Sequence, residues 1–292
     1  MEPADTLKLV LQASIMLTVF SFGLGATLED VLYVVRRPRM LVVSLVSMFI
    51  VMPFIALALV LVLDPPQVAQ VALVALALSP VPPILLNRQR KAGGSASYGL
   101  GLTATVSVLS IVLVPALVAF LGELMDKPFQ IGAPAVAGQV VVAVVLPLAV
   151  GMVVRALLPR AADRLMGPAA LVANIVLLAA VVIVLIAAFP RLGQVLTAGT
   201  VAASVLFTGL GLAFGHVLAG PDPGDSAVLA LASAVRHPGI ALAVAGANFP
   251  SLDVGAAIIL YLLVGAAVSA PYIARMHRRA TANQAQTPDR RE

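Results

Sequence analysis

Cysteine is absent from the 292 residues, which excludes disulfides, thiolate metal sites and cysteine nucleophiles. Charge is scarce: 11% of residues are charged against 61% hydrophobic, with a mean hydropathy of +1.07. A soluble domain of this length needs far more polar surface, so the composition points to an all-α polytopic membrane protein. Carboxylates are missing from the middle of every apolar stretch, since all thirteen acidic residues fall in loops, at span edges or in the tails. Cation-coupled carriers commonly use a buried Asp or Glu to hold sodium or shuttle a proton, and that device is not here. Nor is there an intramembrane carboxylate pair, or a serine and histidine at a spacing known for nucleophilic catalysis. The expectation is therefore no enzyme, no cofactor and no metal site.

What charge there is has a pattern. The formal net charge of +5 and pI near 10.1 invite a nucleic-acid reading, but the basic residues sit in loops between apolar spans, so no nucleic acid is expected. The first span follows an acidic start, Met1-Glu2-Pro3-Ala4-Asp5, with no basic region before it and no small-residue cleavage site after it. It reads as a retained helix and not as a signal peptide. Crossing the hydrocarbon takes about 20 residues. Nine spans fit, at residues 6–27, 39–63, 68–91, 96–121, 132–157, 168–189, 198–219, 227–248 and 254–275. With the N-terminus outside, one side gathers Arg36, Arg37, Arg39, Arg88, Arg90, Lys91, Arg155, Arg160, Arg164, Arg275, Arg278, Arg279, Arg290 and Arg291. The other side has Lys8, Lys127 and Arg191, so the positive-inside bias puts the C-terminus in the cytoplasm of a cell with the chain in its inner (plasma) membrane. Residues 1–280 form the transmembrane domain, and 281–292 read as a polar, disordered tail.

Two spans are interrupted. Residues 227–248, AVLALASAVRHPGIALAVAGAN, carry Arg236, His237, Pro238 and Gly239 at their centre. A charge at that depth costs roughly 2.5 to 3.5 kcal/mol on insertion scales, and Pro and Gly weaken the helix around it. The third span holds Ser79, Pro80, Pro82 and Pro83, which no continuous helix accommodates. The second comes five spans after the first, so they cross in opposite directions, the mark of an inverted repeat with discontinuous helices. The repeats would cover about 6–121 and 132–275, the first lacking one helix.

These blocks resemble the bile acid sodium symporter family, bacterial members included, within the superfamily of bile acid, arsenite and riboflavin transporters. FGLGATLEDVLYVVRRPRMLVVSLVSMFIVMP is similar to its M-G-x-T-L, loop, basic-P-basic, Q-F-x-x-M-P block. SPVPPILLNRQRKAGGSASYGLGLTATVSVLSIVLVP lies over C-P-G-G-T-A-S-N, and ASAVRHPGIALAVAGANF over E-V-G-M-Q-N-S-G-L-A. The resemblance implies a core and a panel of helices, two crossing broken helices, and carriage of a small organic anion. It also maps the family's sodium ligands onto Met48, Leu85, Leu86, Gly99, Ala232 and Arg236, none with a side-chain oxygen, leaving Thr103 as the match. The family's asparagine beside the second break falls on His237.

Sodium takes several oxygen ligands, and this set supplies almost none. Arg236, just before the break, sits where unpaired carbonyls favour a cation by up to about 2 kcal/mol. It reads as a tethered substitute for the ion, or alternatively as a structural plug. The half-helix starting near Gly239 would offer its N–H groups to the anion. His237 is the candidate for a proton link, or a packing histidine. Asn87 and Gln89 lie a turn past the first break and either face the cavity with Thr103 or, with Arg88, belong to the interface anchor. Gln12, Gln139, Asn174 and His216 read as interhelical glue. The leading function is thus a sodium-independent secondary transporter. A sodium-coupled symporter with rebuilt sites and a channel or sensor-like membrane protein are the alternatives.

Overall fold

Lipid offers the backbone no hydrogen bonds, so a spanning chain of this composition satisfies them within helices. The computed structural model describes residues 3–124 and 131–286, and all regular elements there are helical. In order they are α1 (Pro3–Gly23), α2 (Leu28–Val31), α3 (Pro38–Val46), α4 (Met52–Leu63), α5 (Gln67–Leu78), α6 (Leu85–Lys91) and α7 (Ala96–Leu124). Then come α8 (Ala133–Val140), α9 (Leu146–Leu157), α10 (Pro159–Val195), α11 (Ala198–Leu218), α12 (Pro223–Ala234), α13 (Pro238–Asn248) and α14 (Gly255–Gln286). Among the described residues seven stretches are long and apolar enough to cross a membrane, the eighth expected span among them as Pro223–Asn248. The first and third expected spans carry the shorter apolar helices Gln12–Gly23 and Gln67–Leu78. Lys127, the side chain of Gln139 and residues 287–292 lie outside the described residues. α14 continues to Gln286, past the position where the polar tail was expected to begin.

Two π-helical turns interrupt otherwise regular spans, Ser47–Val51 between α3 and α4 and Val141–Val145 between α8 and α9. Each is followed by a proline, Pro53 and Pro147, whose missing N–H and bulky ring disfavour a normal turn upstream. In the first, the Met52 N–H turns back to Ser47 O. The next donor along the chain would be Pro53, which has none, so the Met48 carbonyl is left without a backbone partner.

α1 packs on α9 and α10, whereas α11 packs on α12, α14 and α4. Close approach is set by glycine. A Cβ on Gly215 would stand 2.6 Å from the Ala230 Cα, and one on Gly211 would stand 2.8 Å from the Ala234 Cα. The Gly-x-x-x-Gly face of α11 thus brings its backbone against α12. Gly23 and Gly151 do the same for α1 and α9. α12 is buried at every residue from Ser226 to Ala234, as its nearly uniform apolar and small-residue sequence requires. It forms the centre of the bundle with the buried end of α5.

Candidate functional site

The third and eighth expected spans are both broken, and their breaks touch. α5 ends at Leu78, and Ser79 is extended (φ −82°, ψ 152°) because the prolines beyond it cannot continue a helix. α12 ends at Ala234, and Val235 (φ −109°, ψ 125°) and His237 (φ −79°, ψ 106°) are extended likewise. Arg236 therefore lies inside the break and not on the last turn of α12. The two extended segments pair: the His237 N–H donates to Pro80 O at 2.9 Å and to Ser79 Oγ at 3.0 Å. Pro238 does not kink the second half-helix but opens it at the first turn, where its missing N–H costs nothing. Pro80, Pro82 and Pro83 all fall in the 79–83 link.

Arg236 is fully buried. Its Nη1 donates to Ser79 O at 3.1 Å, and its Nη2 donates to Met48 O, the carbonyl that the π-helical turn leaves open. Among the described residues no carboxylate bonds to it, and its Nε has no partner. A buried guanidinium is costly unless its charge is met. Here it is met by carbonyl dipoles, one at the C-terminal end of α5 and one in the wall formed by the second span. The other carbonyl end, Ala234 O of α12, accepts from the buried Tyr261 hydroxyl. Tyr261 is held edge-on by Phe207, with ring centroids 5.7 Å apart. Ser47 and Ser233 close the shell with a hydroxyl pair at 2.7 Å.

The remaining predicted residues divide. His237 is buried, and its Nδ1 accepts from Ile240 N at 3.4 Å, so the ring caps α13 while the Gly239 N–H stays at that helix's first turn. Asn87 bonds Asn174 of α10 at 3.3 Å. Gln89 is buried, its Nε2 donating to Val228 O at 3.0 Å and its Oε1 unpartnered. The Thr103 hydroxyl turns back to Gly99 O in its own helix at 2.8 Å. Asn174 and His216 do join helices, the latter through Tyr272 at 2.8 Å. Met48, Leu85 and Ala232 are buried in the main core, and Leu86 is buried in a second apolar cluster with Val19, Leu100 and Leu148. Ser47, Ser233 and Tyr261 escaped the sequence reading, and Ser79 was marked there only as part of the break. Ser79 had a signal in its place before Pro80, while Tyr261, 27 residues from the carbonyl it meets, had none.

Residues 13–197, well over half of the chain, match the sodium bile acid symporter family. No curated protein matches the chain.

Proposed function

The chain belongs to the sodium bile acid symporter family, whose members are membrane transporters and not enzymes, and from that premise we propose that it is a secondary carrier of a small organic anion in which Arg236 replaces the coupling sodium ion. One observation supports this most directly: a fully buried guanidinium bonded to Ser79 O and Met48 O, one carbonyl at the end of α5 and one at the π-helical turn of the second span. A metal ion balances such oxygens in the same electrostatic way, but it leaves with the solute. A tethered cation stays, so transport proceeds as uniport, exchange or proton-linked movement. The α13 N-terminus at Gly239, with His237 beside it, faces the anion, and Asn87 lines the approach; Gln89 and Thr103 stand behind them. In this reading nine spans form inverted repeats, the N-terminus is outside, and the protein resides in the inner (plasma) membrane.

The test is flux in proteoliposomes, with cholate as the first of a panel of carboxylates and sulfonates. Saturable uptake with counterflow that persists when choline replaces sodium is the expected result. Loss of uptake in choline overturns the ion-free mechanism and favours sodium coupling through backbone carbonyls, which the family's name itself suggests. Ohmic current overturns the carrier reading. The double substitution Arg236→Gln and Ala232→Glu should introduce sodium dependence.

A further inference from the structure

We propose that the outward face of α14 at its arginine-rich end binds the phosphate headgroup of an anionic phospholipid. A shallow, open hollow there is lined by Pro271, Ala274, Arg275, Arg278, Arg279 and Ala282, all on this one helix. Most of these recur at helical spacing and form one stripe of the helix. The opposite face is the packed one. Met276 is buried, and Ala280 presses on Gly93, where an added Cβ would stand 2.5 Å from the Ala280 Cβ. The stripe is therefore turned away from the protein, toward lipid.

Depth fixes what it meets. From Gly255 to Arg275 is 20 residues, about 30 Å of helix and about the thickness of the hydrocarbon core. Arg278 and Arg279 lie roughly 5 Å further on, at the level of lipid phosphates. Tyr272, an interfacial residue type, holds the helix at this depth by bonding His216 Nδ1 at 2.8 Å and donating to Ser226 O at 3.3 Å. Along the hollow Pro271 and Ala274 are apolar and lie on the hydrocarbon side, and the arginines follow. That order matches a lipid running from glycerol to phosphate. The ion pairs among the described residues are Arg155 with Asp163 and Arg191 with Asp253, so among those residues none of the three arginines has a carboxylate partner. Their forked donors suit a phosphate diester, and a net-negative headgroup supplies the opposite charge.

The experiment is native mass spectrometry of the full chain released from bilayers of equal phosphatidylglycerol and phosphatidylcholine. The parent protein should retain phosphatidylglycerol selectively. Arg275→Gln, Arg278→Gln and Arg279→Gln together should lower that retention by roughly tenfold or more, while Arg36→Gln, Arg37→Gln and Arg39→Gln together leave it unchanged. If the first triple variant does not fold, Arg278→Gln alone should lower retention by about fivefold. Equal retention of the two lipids, undiminished retention in the α14 variants, or displacement by millimolar inorganic phosphate overturns the proposal. None of these readouts depends on solute transport, so the failure of the carrier reading would leave them unchanged.

Discussion

The Nη1 of Arg236 donates to the carbonyl of Ser79 at 3.1 Å, joining two helix breaks 157 residues apart in the chain. One side chain thereby closes the negative end of α5 and, through Nη2, the carbonyl that Pro53 orphans in the second span. The local charge balance of the bundle centre depends on this contact.

Removing the guanidinium leaves two buried oxygens unpaired, each worth about 1 to 3 kcal/mol. Arg236→Ala should therefore unfold at markedly lower temperature than the parent. Sodium should stabilise that variant relative to choline and leave the parent unmoved, because only the variant has the carbonyls free to take an ion. Thermal unfolding in detergent with each chloride salt decides it, and equal responses of the two proteins would count against the substitution of ion by arginine.

The pair Ser47 and Ser233 links the second span to α12 at 2.7 Å. Each alanine substitution should cost about 1 kcal/mol, and the double variant less than the sum, by about 0.5 to 1.5 kcal/mol. A double-mutant cycle of denaturation midpoints measures the difference; strict additivity would mean that the bond contributes nothing.

Gly215 has no room for a side chain, since the first added carbon meets backbone and not a flexible tip. Gly215→Leu should destabilise by about 1 to 3 kcal/mol or more. Gly209→Leu, where nothing lies within 4 Å, should be tolerated. Melting curves of the two variants, compared with the parent, check the contrast.

Asp30, in α2 between α1 and α3, forms a capping box with Thr27, the N-cap of that helix, and accepts from the Ser97 hydroxyl of α7 at 2.5 Å. Burial pushes its carboxyl up, but the hydrogen bonds from Ser97 and Thr27 outweigh it and hold the group below the ordinary value of 3.8. A depressed native value contributes stability above the unfolded-state value that is lost as pH falls through the native one. The α2 to α7 contact should weaken on acidification below pH 3.8, and Ser97→Ala should blunt that dependence. Stability profiles from pH 7 downward, with and without the substitution, provide the check.

Much of the site was readable in advance because its causes are local. Prolines at positions 80, 82 and 83 break a helix wherever it packs, and Arg236 with Pro238 and Gly239 marks a break in an apolar run. His216 and Asn174 bond across helices as polar residues in a bundle do. The partners of Arg236 were not readable. Met48 looks like packing in the sequence, and its role lies in a carbonyl that becomes available only because a π-helical turn and Pro53 together remove two donors. Gln89 and Thr103 are polar enough to be ligands; only the tertiary structure shows that their donors go to Val228 O and Gly99 O while Gln89 Oε1 is left unpartnered.

Composition and periodicity determined by themselves that this chain is a bundle of membrane helices with two interruptions, because transfer of apolar residues into lipid and the geometry of proline are properties of short stretches. Which carbonyls the buried guanidinium meets, which hydroxyl closes the end of α12, and which face of α14 is left to the lipid were decided only by the tertiary structure. Hydrogen bonds form between groups brought within about 3 Å of each other, and for residues more than a hundred positions apart only packing brings them there.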